Sequence, residues 1–155
     1  MAFEPDIIVH GPEGTTLVVE VKATEHAGSD AAEQLKHYMA GMSIPLGLLV
    51  TPRKLVLYRD KYVGTADGSI EEVGAYSLAD ILSPPRTANE ELADPRNRGL
   101  AFEEAVQHWL ERLSTESDAT AIPADVRDAL ETHILPVLRA GEVRAAGPRL
   151  RNTAF

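Results

Sequence analysis

The segment Thr15-Thr16-Leu17-Val18-Val19-Glu20-Val21-Lys22-Ala23 settles the architecture. It is rich in β-branched residues and reads as a strand. Strand alternation puts Leu17, Val19 and Val21 on one face and Val18, Glu20 and Lys22 on the other. An otherwise apolar strand therefore ends with an acid and a lysine on one shared face. Upstream, His10-Gly11-Pro12-Glu13-Gly14 is punctuated as a turn. Before it, Asp6-Ile7-Ile8-Val9 reads as a second strand, so the two strands are neighbours joined by a short connection.

Downstream, residues 24–29 read as a loop and a helix follows. Asp30 is placed as its N-cap, with Glu33 at capping-box spacing. Ala31, Leu35, Tyr38, Met39 and Met42 form an apolar stripe at helical spacing, and Gly41 is the expected stop. Leu46–Thr51 is a buried-type strand. Pro52-Arg53 makes a turn and Lys54–Tyr58 pairs back. A turn at Asp67-Gly68 leads to an edge strand over Ile70–Val73, and Ser77 caps a short helix through Leu82. The sequence predicts an α/β fold with a central mixed sheet flanked by helices.

Composition divides the chain as a core over 1–83, a linker over 84–98, a helical section over 99–138 and a basic tail over 139–155. The linker is marked by its prolines and polar residues. The helical section carries the stripes Phe102, Ala105, Val106, Trp109, Leu110, Leu113 and Val126, Leu130, Ile134, Val137. Pro123 suits a first helical turn, and Pro136 should kink or end its helix. The expectation is that these helices pack on the core or on a second subunit, and that the chain from Arg139 onward is loosely ordered.

A chain of 155 residues can bury a core without staples. It has no cysteine, which removes disulfides, thiolate metal sites and cysteine nucleophiles and fits a reducing, cytoplasmic setting. No apolar run has the length of a membrane span, and the first residues lack the basic and apolar regions of a signal peptide. The net charge of −9 is unevenly spread, with −2 through Tyr62 and −7 beyond. Two basic clusters interrupt it: Arg53, Lys54, Arg59, Lys61, and the tail Arg139, Arg144, Arg149, Arg151. A generic nucleic-acid binder is usually basic, but acids that serve a cation make a negative total tolerable.

Hard cations such as Mg²⁺ take oxygen ligands, usually one or two carboxylates plus waters and phosphate oxygens. Asp6 and Glu20, on adjacent strands, can converge on one ion. Lys22 lies about 6.5–7 Å beyond Glu20 on the same face, where its ammonium can orient a water or neutralise charge on phosphorus. Gln34 and Tyr38 stand one helical turn apart on one face, suited to a phosphate backbone or to the surroundings of the metal. Arg53 and Lys54 can grip phosphates. None of the five histidines has zinc-ligand spacing, although His10 and His26 are expected to flank the site. The chain has no phosphate-binding G-x-x-x-x-G-K-[ST] loop.

Taken in order, Pro5-Asp6, Glu20-Val21-Lys22 and Gln34-Leu35-Lys36-His37-Tyr38 resemble the PD-(D/E)xK nuclease superfamily. Within it, they are similar to the Q-x-x-x-Y branch, which includes the nuclease domains of type I restriction motor subunits. The resemblance covers roughly the first half of the chain. It implies a restriction-endonuclease-like sheet and Mg²⁺- or Mn²⁺-dependent hydrolysis of phosphodiesters. Asp6, Glu20 and Lys22 would be catalytic, with Asp6 and Glu20 holding metal, and Gln34 and Tyr38 would bind substrate. It also implies nucleic acid as partner, DNA ahead of RNA, with a homodimer and a motor or specificity subunit as further partners.

Members of that family begin with a helix whose glutamate also reaches the metal. Only four residues precede Pro5, and Gly99–Val106 looks like that helix placed after the core. The expectation is that Glu103 joins the metal site, by circular permutation or by exchange between two subunits. The competing expectation is an inactive nuclease fold that serves as an interaction or assembly module, binding a partner through its C-terminal helices.

Overall fold

The computed structural model describes residues 5–22, 28–61, 69–81, 95–115 and 123–146. Six strands form one mixed sheet in the order β5-β4-β3-β2-β1-β6. Strands β1 (Ile7–Gly11) and β2 (Gly14–Val21) form an antiparallel hairpin. Gly14 turns the corner at φ 127°, a conformation that side chains rarely adopt. Helix α1 (Gly28–Met42) then crosses over to β3 (Leu46–Val50), which runs parallel to β2 as a helical crossover requires. Strands β4 (Lys54–Asp60) and β5 (Ile70–Ser77) add antiparallel. A 3₁₀ turn follows at Leu78–Asp80.

The C-terminal helices come next: α2 (Pro95–Thr115), α3 (Ala124–Ala129), a π-helical turn over Leu130–Ile134, and α4 (Leu135–Ala140). The last strand, β6 (Glu142–Ala145), pairs antiparallel with β1. No helix among the described residues is long and apolar enough to cross a membrane.

The alternation along β2 distributes the core over two faces. Leu17, Val19 and Val21 pack with Phe102, Val106, Trp109 and Leu110 of α2 and with Ile134 and Leu138 further on. Val18 packs on the other side with Ala31, Leu35 and Met39 of α1. The C-terminal helices thus share a core with the sheet of their own chain. Burying each such aliphatic side chain is worth roughly 1.5–3 kcal/mol, so these C-terminal helices are an integral part of the fold.

Several local expectations are corrected. Helix α1 starts at Gly28, so Asp30 lies in its first turn and is not the N-cap. It runs past Gly41 and stops where Ser43 enters the left-handed region at φ 57°, and Ile44 N–H donates to Met39 O at 2.9 Å. That bond, with Ile44 and Met39 both buried, is a Schellman closure without glycine. Met42 is 60 % exposed and leaves the apolar stripe. Strand β5 extends to Ser77, well beyond Val73, because β4 offers it partners from Asp60 back to Lys54.

Helix α2 begins at Pro95, inside the stretch read as linker, with proline at its first position. Pro136 does not end the helical run, although regular α-helix is interrupted just before it. A π-turn precedes it and absorbs the irregularity, and α4 continues to Ala140. The chain after Arg139 is not loose throughout, since Glu142–Ala145 forms a strand. The turn at Asp67-Gly68, the linker over 84–94, His26 and the tail residues Arg149 and Arg151 lie outside the described residues.

Candidate active site

One end of the sheet gathers Asp6, Glu20, Lys22 and the β3–β4 turn. Strand β1 starts there, β2 and the parallel β3 end there, and β6 ends there beside the start of β1. Asp6 directly precedes Ile7, and Glu20 directly follows Val19, the last residue pair of the β1–β2 ladder. The two carboxylates therefore face each other across neighbouring strands. Asp6 is held closely: its N–H donates to Val19 O at 3.0 Å, and its Oδ2 accepts from Val21 N–H at 2.7 Å.

Glu20 is only 3 % exposed. Burial pushes its carboxyl up to about 9; a hydrogen bond to Asp6 and the like charges of Asp6 and Glu103 act in the same direction, while Lys22 opposes them. The physical cause is plain: a buried carboxylate beside another carboxylate resists ionising unless a cation is near. Lys22 is the nearby cation, with Nζ 4.0 Å from Glu20 Oε2. Its backbone is fixed by Lys22 N–H donating to Val50 O at 2.9 Å, so the lysine sits where β2 leaves the sheet.

Glu103 stands on α2, half-buried, close enough for its charge to bear on Glu20. The packing of Phe102 and Val106 against the strand brings it there. Among the described residues, no three His, Asp or Glu side chains close on a common point. The converged donors are the Asp6–Glu20 pair. A buried and a half-buried carboxylate facing each other are hard oxygen donors of the kind that suit a divalent cation, whose remaining positions water and phosphate oxygens would fill.

The β3–β4 turn lies at the same end. Thr51, fully buried, donates N–H to Lys54 O at 2.9 Å, and Leu78 N–H donates to Arg53 O at 2.9 Å. The turn is thus fixed from two sides, and it presents Arg53 and Lys54 as exposed residues. Arg59, by contrast, is committed to Glu71 on the neighbouring strand, its Nε 2.9 Å from Glu71 Oε1. Helix α1 starts at this end and runs away from it. Gln34 is exposed on it, and Tyr38, a turn further on, is half-buried against the Val18 cluster. His10 sits at the far end of β1, paired with Thr15, so it does not flank the site.

Sequence reasoning passed over one participant. The last described residue, Ala146, donates its N–H to Asp6 O at 2.9 Å. The signal was the polar–apolar alternation of Glu142, Val143, Arg144 and Ala145 immediately after a glycine, four residues too short to stand out.

Residues 1–61 match the family model described as the PD-(D/E)XK nuclease superfamily. The matched segment holds Asp6, Glu20 and Lys22 and stops before the helices of the second half. No curated protein and no solved structure matches the chain. The mixed six-stranded sheet flanked by helices, with further helices toward the C-terminus, is a restriction-endonuclease-like α/β fold.

Proposed function

We propose that this protein is a Mg²⁺- or Mn²⁺-dependent nuclease that hydrolyses phosphodiester bonds, with DNA ahead of RNA as substrate. The observation that carries the reading is the buried Glu20 set opposite Asp6 with the Lys22 ammonium 4.0 Å away. Such a carboxylate pair is costly in a stable core and useful in a site that receives a cation. The match of residues 1–61 to a nuclease superfamily supports the same reading and does not favour the inactive interaction module.

Asp6 and Glu20 would hold the metal, with Glu103 contributing from α2. A divalent ion bound there supplies an acidified water and offsets charge on the phosphoryl oxygens. Lys22 positions the attacking water and stabilises the charge that builds on phosphorus. Burial favours the protonated form of Glu20, so holding a divalent ion there would require that proton to be given up. Arg53 and Lys54 bind substrate phosphates on either side of the site, while Gln34 and Tyr38 contact the backbone from α1, as in the Q-x-x-x-Y branch. A homodimer would place two such sites on the two strands of a duplex, and a motor or specificity subunit would direct them.

The test is cleavage of single- and double-stranded DNA and of RNA with Mg²⁺, Mn²⁺ or chelator. Metal-dependent cleavage lost in Asp6→Ala, Glu20→Ala and Lys22→Ala is expected. Wild-type protein that cleaves none of these substrates with either ion would sink the proposal.

A further inference from the structure

Asp6 lies between two strands. On one side β2 binds its backbone N–H and its carboxylate; on the other, Ala146 N–H donates to its carbonyl at 2.9 Å. Without the second bond, Asp6, one residue before β1, would be tied to the sheet on the β2 side only. Residues just outside a strand fray readily, because little free energy opposes their local opening. The bond to Ala146 therefore extends the sheet by one residue, the one that carries the carboxylate.

The strand that delivers Ala146 is itself accurately placed. It pairs with β1 from His10↔Glu142 to Ile7↔Ala145. It is reached through Gly141, where a Cβ would stand 2.9 Å from His10 O, 3.0 Å from Val9 Cγ1 and 3.1 Å from Val137 O. Two of those three neighbours are backbone atoms of packed elements, so they cannot move aside cheaply. The turn from α4 into β6 closes on β1 only with glycine there.

We propose that β6 is a positioning element for the candidate site. It locks the Asp6 backbone through Ala146 N–H, so that the Asp6 carboxylate stays on Val21 N–H and opposite Glu20. A metal-holding group near the start of the chain is thus set by a strand about 140 residues later. The consequence for metal binding rests on the reading of Asp6 given above; the positioning itself does not.

Ala146→Pro removes this one donor, and Ala146→Gly keeps it. In full-length protein with an unchanged circular dichroism spectrum, Ala146→Pro should weaken Mn²⁺ binding by calorimetry about tenfold, as loss of an orienting partner does. It should also speed exchange of the Val21 amide, measured by NMR without metal. Ala146→Gly should match wild type in both. Gly141→Val, which keeps every site residue, should shift both in the direction of Ala146→Pro. If Ala146→Pro does not fold, lactic acid at position 146 replaces that N–H with an ester oxygen, without the ring of proline, and gives the same comparison.

Val21 exchange in Ala146→Pro equal to that in wild type overturns the proposal. So does faster exchange with unchanged Mn²⁺ affinity, since the site would then not depend on the lock. Wild type that binds no Mn²⁺ instead removes the metal reading of Asp6, and Val21 exchange still decides whether β6 positions that residue.

Discussion

Residues 5–61 and residues 95–146 meet at the same end of one sheet but bring different things to it. The first region carries Asp6, Glu20 and Lys22, and with them the family match. The second lies outside that match. It brings Glu103 within electrostatic reach of Glu20, the Ala146 N–H on Asp6, and most of the helical cover on one face of the sheet. The candidate catalytic side chains thus sit in one region, while the other adds a charge and a backbone bond beside them. The difference teaches that the family match over residues 1–61 spans only part of the candidate site.

The largest effect expected falls on the first region. Lys22→Ala and Asp6→Ala should lower metal-dependent cleavage by about 10²–10³-fold or more, the cost of removing one group that stabilises developing charge. Steady-state cleavage assays at saturating Mg²⁺ check this. Variants that retain activity within a few-fold of wild type would move the chemistry away from this end of the sheet.

The next effect asks whether the two regions fold as one. Leu110 and Met39 are fully buried on opposite faces. Leu110→Ala and Met39→Ala should each cost about 2–5 kcal/mol in urea unfolding. Both should keep a single transition, because the sheet is common to both cores. A second, earlier transition in Leu110→Ala alone would make the C-terminal helices a separable layer and break the comparison.

Legibility in the sequence followed the same division. Strand β2 was readable because β-branched residues and alternation act over eight residues, and the two faces it predicted are the two faces of the core. The helices of the second half were readable from their apolar stripes. What escaped was set by contacts distant in sequence. Strand β6 is four residues long and exists because β1 offers a free edge. Ser43 ends α1 through a backbone bond that also buries Ile44, which no propensity favours over the glycine two positions earlier. The Asp6–Glu20 pair could be placed on adjacent strands from the short turn between them. Its burial, which decides its electrostatics, is set by tertiary packing around the end of β2, which the spacing of the two acids does not encode.

A smaller effect comes from the proton on Glu20. Its carboxyl titrates near 9 in the folded chain and near 4.5 when free, so the folded state binds the extra proton between those values. The associated stability is complete below about pH 4.5 and is lost as pH rises toward about 9. Metal-free wild type should therefore melt at falling temperature from pH 6 to pH 9. Glu20→Gln, which cannot ionise, should flatten that slope and melt higher at pH 9. Calorimetric scans in chelator measure it. Added Mn²⁺ should raise the melting temperature of wild type more at pH 9 than at pH 6, because the ion favours the ionised form.

The smallest effect isolates the contribution of α2. Glu103 adds to the rise in the Glu20 pKa, but less than burial or Asp6 does. Glu103→Gln should therefore make the fall in melting temperature with pH shallower without removing it. If Glu103 also helps to hold the ion, the same substitution should weaken Mn²⁺ binding by up to about tenfold, less than Asp6→Ala does. The two readouts separate the two roles. A shallower slope with unchanged Mn²⁺ affinity would make Glu103 a charge that tunes Glu20 and nothing more. No change in either would leave α2 to act through packing alone, and the second region would then reach the site only through β6.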